Sequence, residues 1–382
     1  METEINKIKI EQSKINGDTN YLTHNFHTYP AKYIPQIPRS IIRALSNEGE
    51  TVLDPFCGCG TTLVEAKLLG RSAIGVDLNP IATLISKAKT SPLNDKQINS
   101  INLILQYIKD EFREHVYSKN NIEILIPEFK NRDHWFQKNV LLELSLIKKI
   151  ILEIEDEKVR ELFLTAFSSI IVTVSNQESD TRFAAVNKNI SSGKCVEELS
   201  RKIKMMTPRI SEFSKRCSNM PVNVYNQDTR DMSFISKDSI DLVVTSPPYA
   251  NTYDYYLYHK FRIFWLDFDV DKVKDDEIGS RNRHSSKKEE IDSFERDLLS
   301  CMLEIGRVLK KNKYLVIVIG DSVIRGKIHK ANEIIGRIAV KSKFNIEREI
   351  SYNLKENSRM FNPKFTNGEK LEHIIFLKNI KE

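Results

Sequence analysis

Nowhere in the 382 residues is there a run of about 20 apolar side chains, the length a helix needs to cross a bilayer. The opening "METEINKIKIEQSKING" is polar and charged and lacks the apolar core of a secretion signal, so secretion is not expected. Cysteine is scarce. The five present (Cys57, Cys59, Cys195, Cys217, Cys301) are odd in number and scattered, which argues against a disulfide framework and fits reduced thiols in a cytoplasm. Charge of one sign is also in short supply, because 58 Lys+Arg face 52 Asp+Glu; a net +6 permits a polyanionic partner without requiring one. The chain has no internal repeat and no G-x-G-x-x-G, the turn that a nicotinamide dinucleotide would want. What it does have is 40% hydrophobic residues, enough for a large core.

Seven short β-rich runs, each ending in turn or polar residues, read as strands: "TVLDPF", "SAIGVDL", "VNVYNQD", "DLVVTSPP", "KYLVIVIGD", "NIEREISYNL" and "EHIIFLK". Helical stretches such as "TTLVEAKLLG", "FERDLLSCMLEIGRVLKK" and "HKANEIIGRIAVKS" lie between them, which predicts an α/β fold with a mostly parallel sheet covered on both faces. The last two runs are joined by a segment without helical period, so they are expected to form an antiparallel edge hairpin. Residues 94–219 break the alternation with helical spacing and read as a helical insertion between two parts of one catalytic domain, 1–93 and 220–382. Residues 268–292, with "DDEIGSRNRHSSKKEEID", read as a mobile polar loop.

Two turns stand out. In "LDPFCGCGTTLVEA", Gly58 and Gly60 occupy a strand-to-helix turn, where absent side chains let backbone N–H groups approach a ligand. About 20 residues on, as a βαβ nucleotide unit predicts, "GVDLNP" ends the second strand in Asp77, positioned to accept hydrogen bonds from two ribose hydroxyls. In "DLVVTSPPYANTYDYYLYHKFRIFWL" a strand stops at Ser246-Pro247-Pro248-Tyr249. Neither proline donates an N–H, so the ladder cannot continue and the flanking side chains are held at the strand's carboxyl end. The "CGCG" cysteines have no second pair and no His cluster beside them, so small residues at a tight turn is preferred to a metal site.

"DPFCGCGT", "GVDLNP" and "TSPPY", with "FHTYPAKYIPQIPRSII", resemble the motifs of amino-group DNA methyltransferases, specifically the Ser-Pro-Pro-Tyr group assigned to N4 of cytosine. The resemblance covers both ends of the chain and implies a Rossmann-like methyltransferase fold using S-adenosylmethionine. It implies that Tyr29, Ala31 and Lys32 close over the methionine end of the cofactor. The turn from Asp54 through Phe56, Gly58 and Gly60 to Thr61 would hold that end, Asp77 the ribose and Asp228 the adenine amino group. The Ser246 hydroxyl and the Pro247 carbonyl would accept from the target amine, Pro248 would stiffen the turn, and Tyr249 would stack on a base flipped out of double-stranded DNA. The chain has no Pro-Cys dipeptide, which disfavours carbon-5 cytosine chemistry.

Adenine N6 presents the same kind of amine and is the nearest alternative, followed by an RNA methyltransferase and a non-catalytic DNA-binding subunit. A restriction endonuclease is the partner that the family would supply; no membrane association is expected. Between Lys188 and Cys217, eight cations (Lys188, Lys194, Arg201, Lys202, Lys204, Arg209, Lys215, Arg216) outnumber three acids. That run reads either as a phosphate track or as a solvated helix face. Arg281, Asn282 and Arg283, and "NQESDTRF" from Asn176, are the candidate base readers.

Overall fold

The computed structural model describes residues 18–115, 125–180, 182–286, 289–353 and 370–382. Among them, eleven strands follow in chain order: β1 (Thr51–Asp54), β2 (Ser72–Asp77), β3 (Gln177–Ser179), β4 (Arg182–Ala185), β5 (Val222–Asn226), β6 (Ile240–Thr245), β7 (Leu309–Gly320), β8 (Ser322–Ile324), β9 (Lys327–His329), β10 (Phe344–Asn353) and β11 (Leu371–Asn379). Seven of these build one sheet in the order β10-β11-β7-β6-β1-β2-β5. They are the seven strands expected from the sequence. The core pairs β1/β2, β1/β6, β2/β5 and β6/β7 are parallel, whereas β11 runs antiparallel to both β7 and β10. The β3/β4 and β8/β9 hairpins form two small sheets of their own, too short to have shown a period in the sequence.

Alternation sorts the sheet's side chains onto two helical layers. Val52, Leu242, Val244 and Val316 pack with Ile37 and Ile41 of α1 (Gln36–Leu45) and Leu63 of α2 (Thr61–Leu68). Their neighbours Leu53, Val243, Leu315 and Ile317 pack with Leu298 and Met302 of α12 (Ile291–Val308) and Ile334 of α13 (Ala331–Lys341). This is the period of two expected of a strand, with both faces buried, which is why these strands read as unbroken apolar runs. All six residues of β6 are buried.

The helical insertion contains α4 (Asp95–His115), α5 (Arg132–Trp135), α6 (Lys138–Leu152), α7 (Glu157–Ile170) and α8 (Lys194–Arg216). Their apolar faces share a core with Phe26, with Val64 of α2 and with Phe261 and Trp265 of α9 (Tyr255–Trp265). Buried Glu143 of α6 satisfies the start of α8 by accepting from Gly193 N (2.7 Å) and Cys195 N (3.1 Å). The insertion is therefore wedded to the sheet domain through α3 (Pro80–Thr90), α9 and the short 3-10 turn Leu22–Asn25.

Residues 268–292 differ from the expected loop. They form α10 (Val270–Asp276), α11 (Arg281–Ser285) and the start of α12. Asp269 caps α10 through Asp271 N (2.9 Å) and Lys272 N (3.1 Å), and Val270 and Val273 are buried against Ile81, Ile85 and Ile263. Two apolar residues three apart suffice to seat one helical turn, yet they are hidden in a run of charges. The expected connection between β10 and β11 falls in 354–369, outside the described residues. No helix among those described is long and apolar enough to cross a membrane.

Candidate active site

β1, α2 and β2 carry the chain to one side of β1, and β6 is added on the other, so the order of the sheet reverses beside β1. At such a switch point the loops leaving the strands' carboxyl ends diverge and open a crevice. Here the crevice is a cleft of about 870 Å³ including its open mouth.

The Gly turn forms its floor. Gly58 has φ +47°, its N–H donates to Asp77 Oδ2 (2.8 Å), and a Cβ placed on it would stand 3.2 Å from Cε1 of Tyr29. The turn is braced from behind by α3, where the Ser86 hydroxyl donates to Gly58 O (2.9 Å) and Lys89 Nζ to Cys59 O (2.6 Å). Gly60 lies at φ +76°, and a Cβ there would come within 2.7 Å of Ser86 Oγ and 3.0 Å of Ser86 Cα. Both the backbone angle and the packing demand glycine. Gly60→Ala is expected to lower stability by about 1–3 kcal/mol, measured by denaturant unfolding; an unchanged midpoint would contradict this packing.

Asp54 behaves differently from its assignment. Its Oδ1 accepts from Phe56 N (3.2 Å) and the Thr245 hydroxyl (2.7 Å), and its Oδ2 from the Thr62 hydroxyl (2.6 Å). It is buried behind the turn, where it ties β1, β6 and α2 together, and it does not line the cleft. Burial pushes its carboxyl up to about 6 against the hydrogen bonds that favour the charged form. Asp77 does line the cleft. Besides Gly58 it accepts from Asn79 N (2.9 Å), and burial pushes its carboxyl up to about 6 as well. Among the described residues it has no ion-pair partner.

Tyr29, Ala31, Lys32, Phe56, Gly58, Thr61, Asp77, Asp228, Ser246 and Pro248 all meet on this cleft. The Tyr29 ring stacks with two rings of α9, Tyr255 (6.2 Å between centroids) and His259 (5.1 Å). Asp228 reaches the wall with both carboxylate oxygens engaged by Arg230, which also contacts Asp297 (3.1 Å). Gly60, Pro247 and Tyr249, like Asp54, are not on the lining. Pro247 is buried. The Tyr249 ring packs on Gly320, where a Cβ would stand 2.7 Å from Cε2, and its hydroxyl donates to Glu372 Oε1 (2.7 Å). In this conformation Tyr249 anchors the turn to β7 and β11. Tyr249→Phe is expected to lower stability by about 0.5–1.5 kcal/mol in a denaturant titration, the size of one hydrogen bond.

Sequence reasoning missed the opposite wall, formed by Tyr255, Val273, Asp276, Glu277 and Ile278. Glu277 accepts from Tyr255 N (2.8 Å) and Tyr256 N (3.0 Å), capping α9, and burial pushes its carboxyl up to about 8. Its signal was absent because α10 was unrecognised. Arg283 is taken up by Asp297 (2.7 Å) and Glu289 (3.1 Å), while Arg281 is exposed. In the basic run, Lys194, Arg201 and Arg216 pair with glutamates of α8, and Lys188 and Arg209 donate to backbone carbonyls. "NQESDTRF" is built largely as the β3/β4 hairpin, whose Asp180 pairs with buried Arg262 of α9.

The chain matches the family model described as DNA methylase over residues 4–88 and 240–379. It is 31% identical to the Type II methyltransferase M.MvaI of Kocuria varians, over 67% of this chain and 60% of that protein. With the Type II methyltransferase M.MjaII of Methanocaldococcus jannaschii it shares 23% identity, over 78% of this chain and 72% of that one. The chain thus spans less than two thirds of the length of the first of these relatives. A solved SAM-dependent methyltransferase from Methanosarcina mazei aligns with a TM-score of 0.35 at 11% identity, over 93% of this chain and 100% of that chain. The first matched block holds the Gly turn and Asp77, and the second holds Ser246 and the wall around Glu277, so the two blocks meet across one cleft. The chain belongs to the DNA methylase family, the amino-group DNA methyltransferases.

Proposed function

We propose that the cleft binds S-adenosylmethionine and that the protein methylates the exocyclic N4 amine of cytosine in a specific double-stranded DNA sequence. The observation that carries this reading is the convergence of the Gly58 turn, Asp77 and Ser246 on one cleft from positions far apart in the chain. The lining fits the cofactor. Two acids without an ion-pair partner among the described residues, Asp77 and Asp276, face it against one lysine, Lys32, while Asp228 is already paired with Arg230 and Glu277, pushed up to about 8, holds its proton at neutral pH; the balance suits a ligand bearing a sulfonium and an ammonium group. Asp77 offers a carboxylate without an ion-pair partner to a vicinal diol. When bound, the cofactor supplies an electrophilic methyl group on sulfur.

The chain's own residues do the rest. An exocyclic base amine is a poor nucleophile because its lone pair is delocalised into the ring. Acceptors aimed at its N–H groups favour the pyramidal, nucleophilic form, and that is the role of the Ser246 hydroxyl on the lining; the Pro247 carbonyl, off the lining in this conformation, would be the second acceptor once a base is bound. The Pro247-Pro248 step keeps both in fixed directions. The target base must leave the stack to reach them. Attack is a direct displacement, without a covalent enzyme intermediate. A cytoplasmic restriction-modification role, with an endonuclease of the same recognition sequence, completes the reading.

The test is mass analysis of nucleosides from DNA incubated with the protein and S-adenosylmethionine. N4-methyldeoxycytidine is expected. N6-methyldeoxyadenosine in its place would overturn the choice of base, and the absence of any methylated nucleoside would overturn the activity.

A further inference from the structure

A series of aromatic rings leaves the cleft. Tyr29 and Tyr255 lie on its lining with their ring centroids 6.2 Å apart; Tyr253 follows at 5.7 Å from Tyr255, and Tyr258 at 5.9 Å from Tyr253. Tyr253 and Tyr258 are off the lining and half-buried, so they carry the series from the cleft out to solvent. Core packing does not account for them. Tyr256 packs against the buried cluster of Ile81, Ile263 and Val273, whereas Tyr253 and Tyr258 join none of the buried apolar clusters among the described residues.

A cation is fixed beside these rings. Arg281 N donates to Tyr253 O (3.3 Å) and Asn282 N to Asp254 Oδ1 (2.8 Å), so the start of α11 is pinned to the segment that bears the tyrosines. The Arg281 side chain is exposed and has no ion-pair partner among the described residues. Aromatic rings and a guanidinium match the two parts of a nucleotide, a base with a π-face and an anionic phosphate. Tyr249, the ring that the motif would offer to a base, is meanwhile held on Gly320 and Glu372. Extruding a base from a duplex also leaves its neighbour in the strand without a stacking partner, and a ring at the entrance can replace it.

We infer that Tyr253, Tyr258 and Arg281 form a nucleotide subsite outside the cleft, which holds the DNA nucleotide next to the extruded one, its base on the tyrosine rings and its phosphate on Arg281. This rests on the reading above that the protein acts on DNA. Every base has a face to stack, so the subsite adds affinity and fixes the strand without choosing its sequence.

Whole-genome-amplified DNA carries no methylation and offers every short recognition sequence, so methyl transfer to it from labelled S-adenosylmethionine gives a KM for DNA with the intact chain. Tyr253→Leu and Tyr258→Leu keep apolar bulk but lose the ring. Each should raise that KM about tenfold, with calorimetric S-adenosylmethionine affinity and thermal midpoint close to wild type. Tyr253→Phe and Tyr258→Phe keep the ring and should restore the wild-type KM. Arg281→Ala should flatten the dependence of log KM on log salt by about 0.9, the share of one phosphate. An unchanged KM in both Leu variants would overturn the inference. So would Phe variants as weak as the Leu ones, or a raised KM that tracks a lowered midpoint, since either would return the rings to packing. An unchanged salt slope in Arg281→Ala would overturn the phosphate half of the subsite. If wild type binds S-adenosylmethionine but labels no DNA, the DNA reading itself fails and the inference falls with it.

Discussion

Ser246→Ala is expected to lower the rate of DNA methylation by about 10²-fold or more while leaving S-adenosylmethionine affinity nearly unchanged. The separation follows from where Ser246 stands. It is the first residue beyond β6, on the lining of the cleft, and its side chain also hydrogen-bonds Tyr249 of the same turn, while the bond that ties this strand end to β1 belongs to its neighbour Thr245, whose hydroxyl donates to Asp54 (2.7 Å). Truncating Ser246 leaves that bond, the Gly58 to Asp77 bond and the buried Pro247 in place. What disappears is one of the two acceptors proposed for the target amine, an interaction that matters most as the nitrogen pyramidalises and its N–H groups become more acidic. Single-turnover transfer from labelled cofactor gives the rate, and calorimetry gives the affinity. Equal rates in wild type and variant would remove Ser246 from the chemistry; a parallel loss of affinity would mean that the turn itself had moved.

The sheet was legible because its strands are buried on both faces and so read as short apolar runs stopped by turn residues. The site was legible only in part, because motif membership does not say which way a side chain faces. Asp54 and Asp77 both end strands in the same βαβ unit, yet one is turned back into the frame and the other lines the cleft. Tyr249 is fixed by Glu372, 123 residues later, a partner no local reading reveals. The wall at Val273 and Glu277 was hidden for a different reason: only Val270 and Val273 mark α10 among acids and lysines, so the segment looked like a loop.

Asp77→Ala is expected to weaken S-adenosylmethionine binding by about 1.5–3 kcal/mol, the range for losing hydrogen bonds to a charged acceptor, or roughly 10- to 150-fold in Kd. The wild-type affinity should also depend on pH, since burial pushes this carboxyl up to about 6. As pH falls through 6 the charged acceptor is lost and binding should weaken, whereas Asp77→Ala should show a much flatter profile over the same interval. The effect on the unliganded fold has the opposite sign. A carboxyl that holds its proton up to about 6 in the folded chain, against an ordinary 3.8, binds more protons folded than unfolded between those values. Its contribution to stability is therefore fully present below the ordinary value and is lost as pH rises through about 6. Asp54, shifted in the same direction by the same burial, adds to this trend but, lying off the cleft, should not add to the ligand profile. Titrating affinity and unliganded stability on the same samples from pH 5 to pH 8 thus distinguishes the two acids. Affinity that is flat across pH 6 in wild type, or equally steep in Asp77→Ala, would show that Asp77 does not hold the ligand.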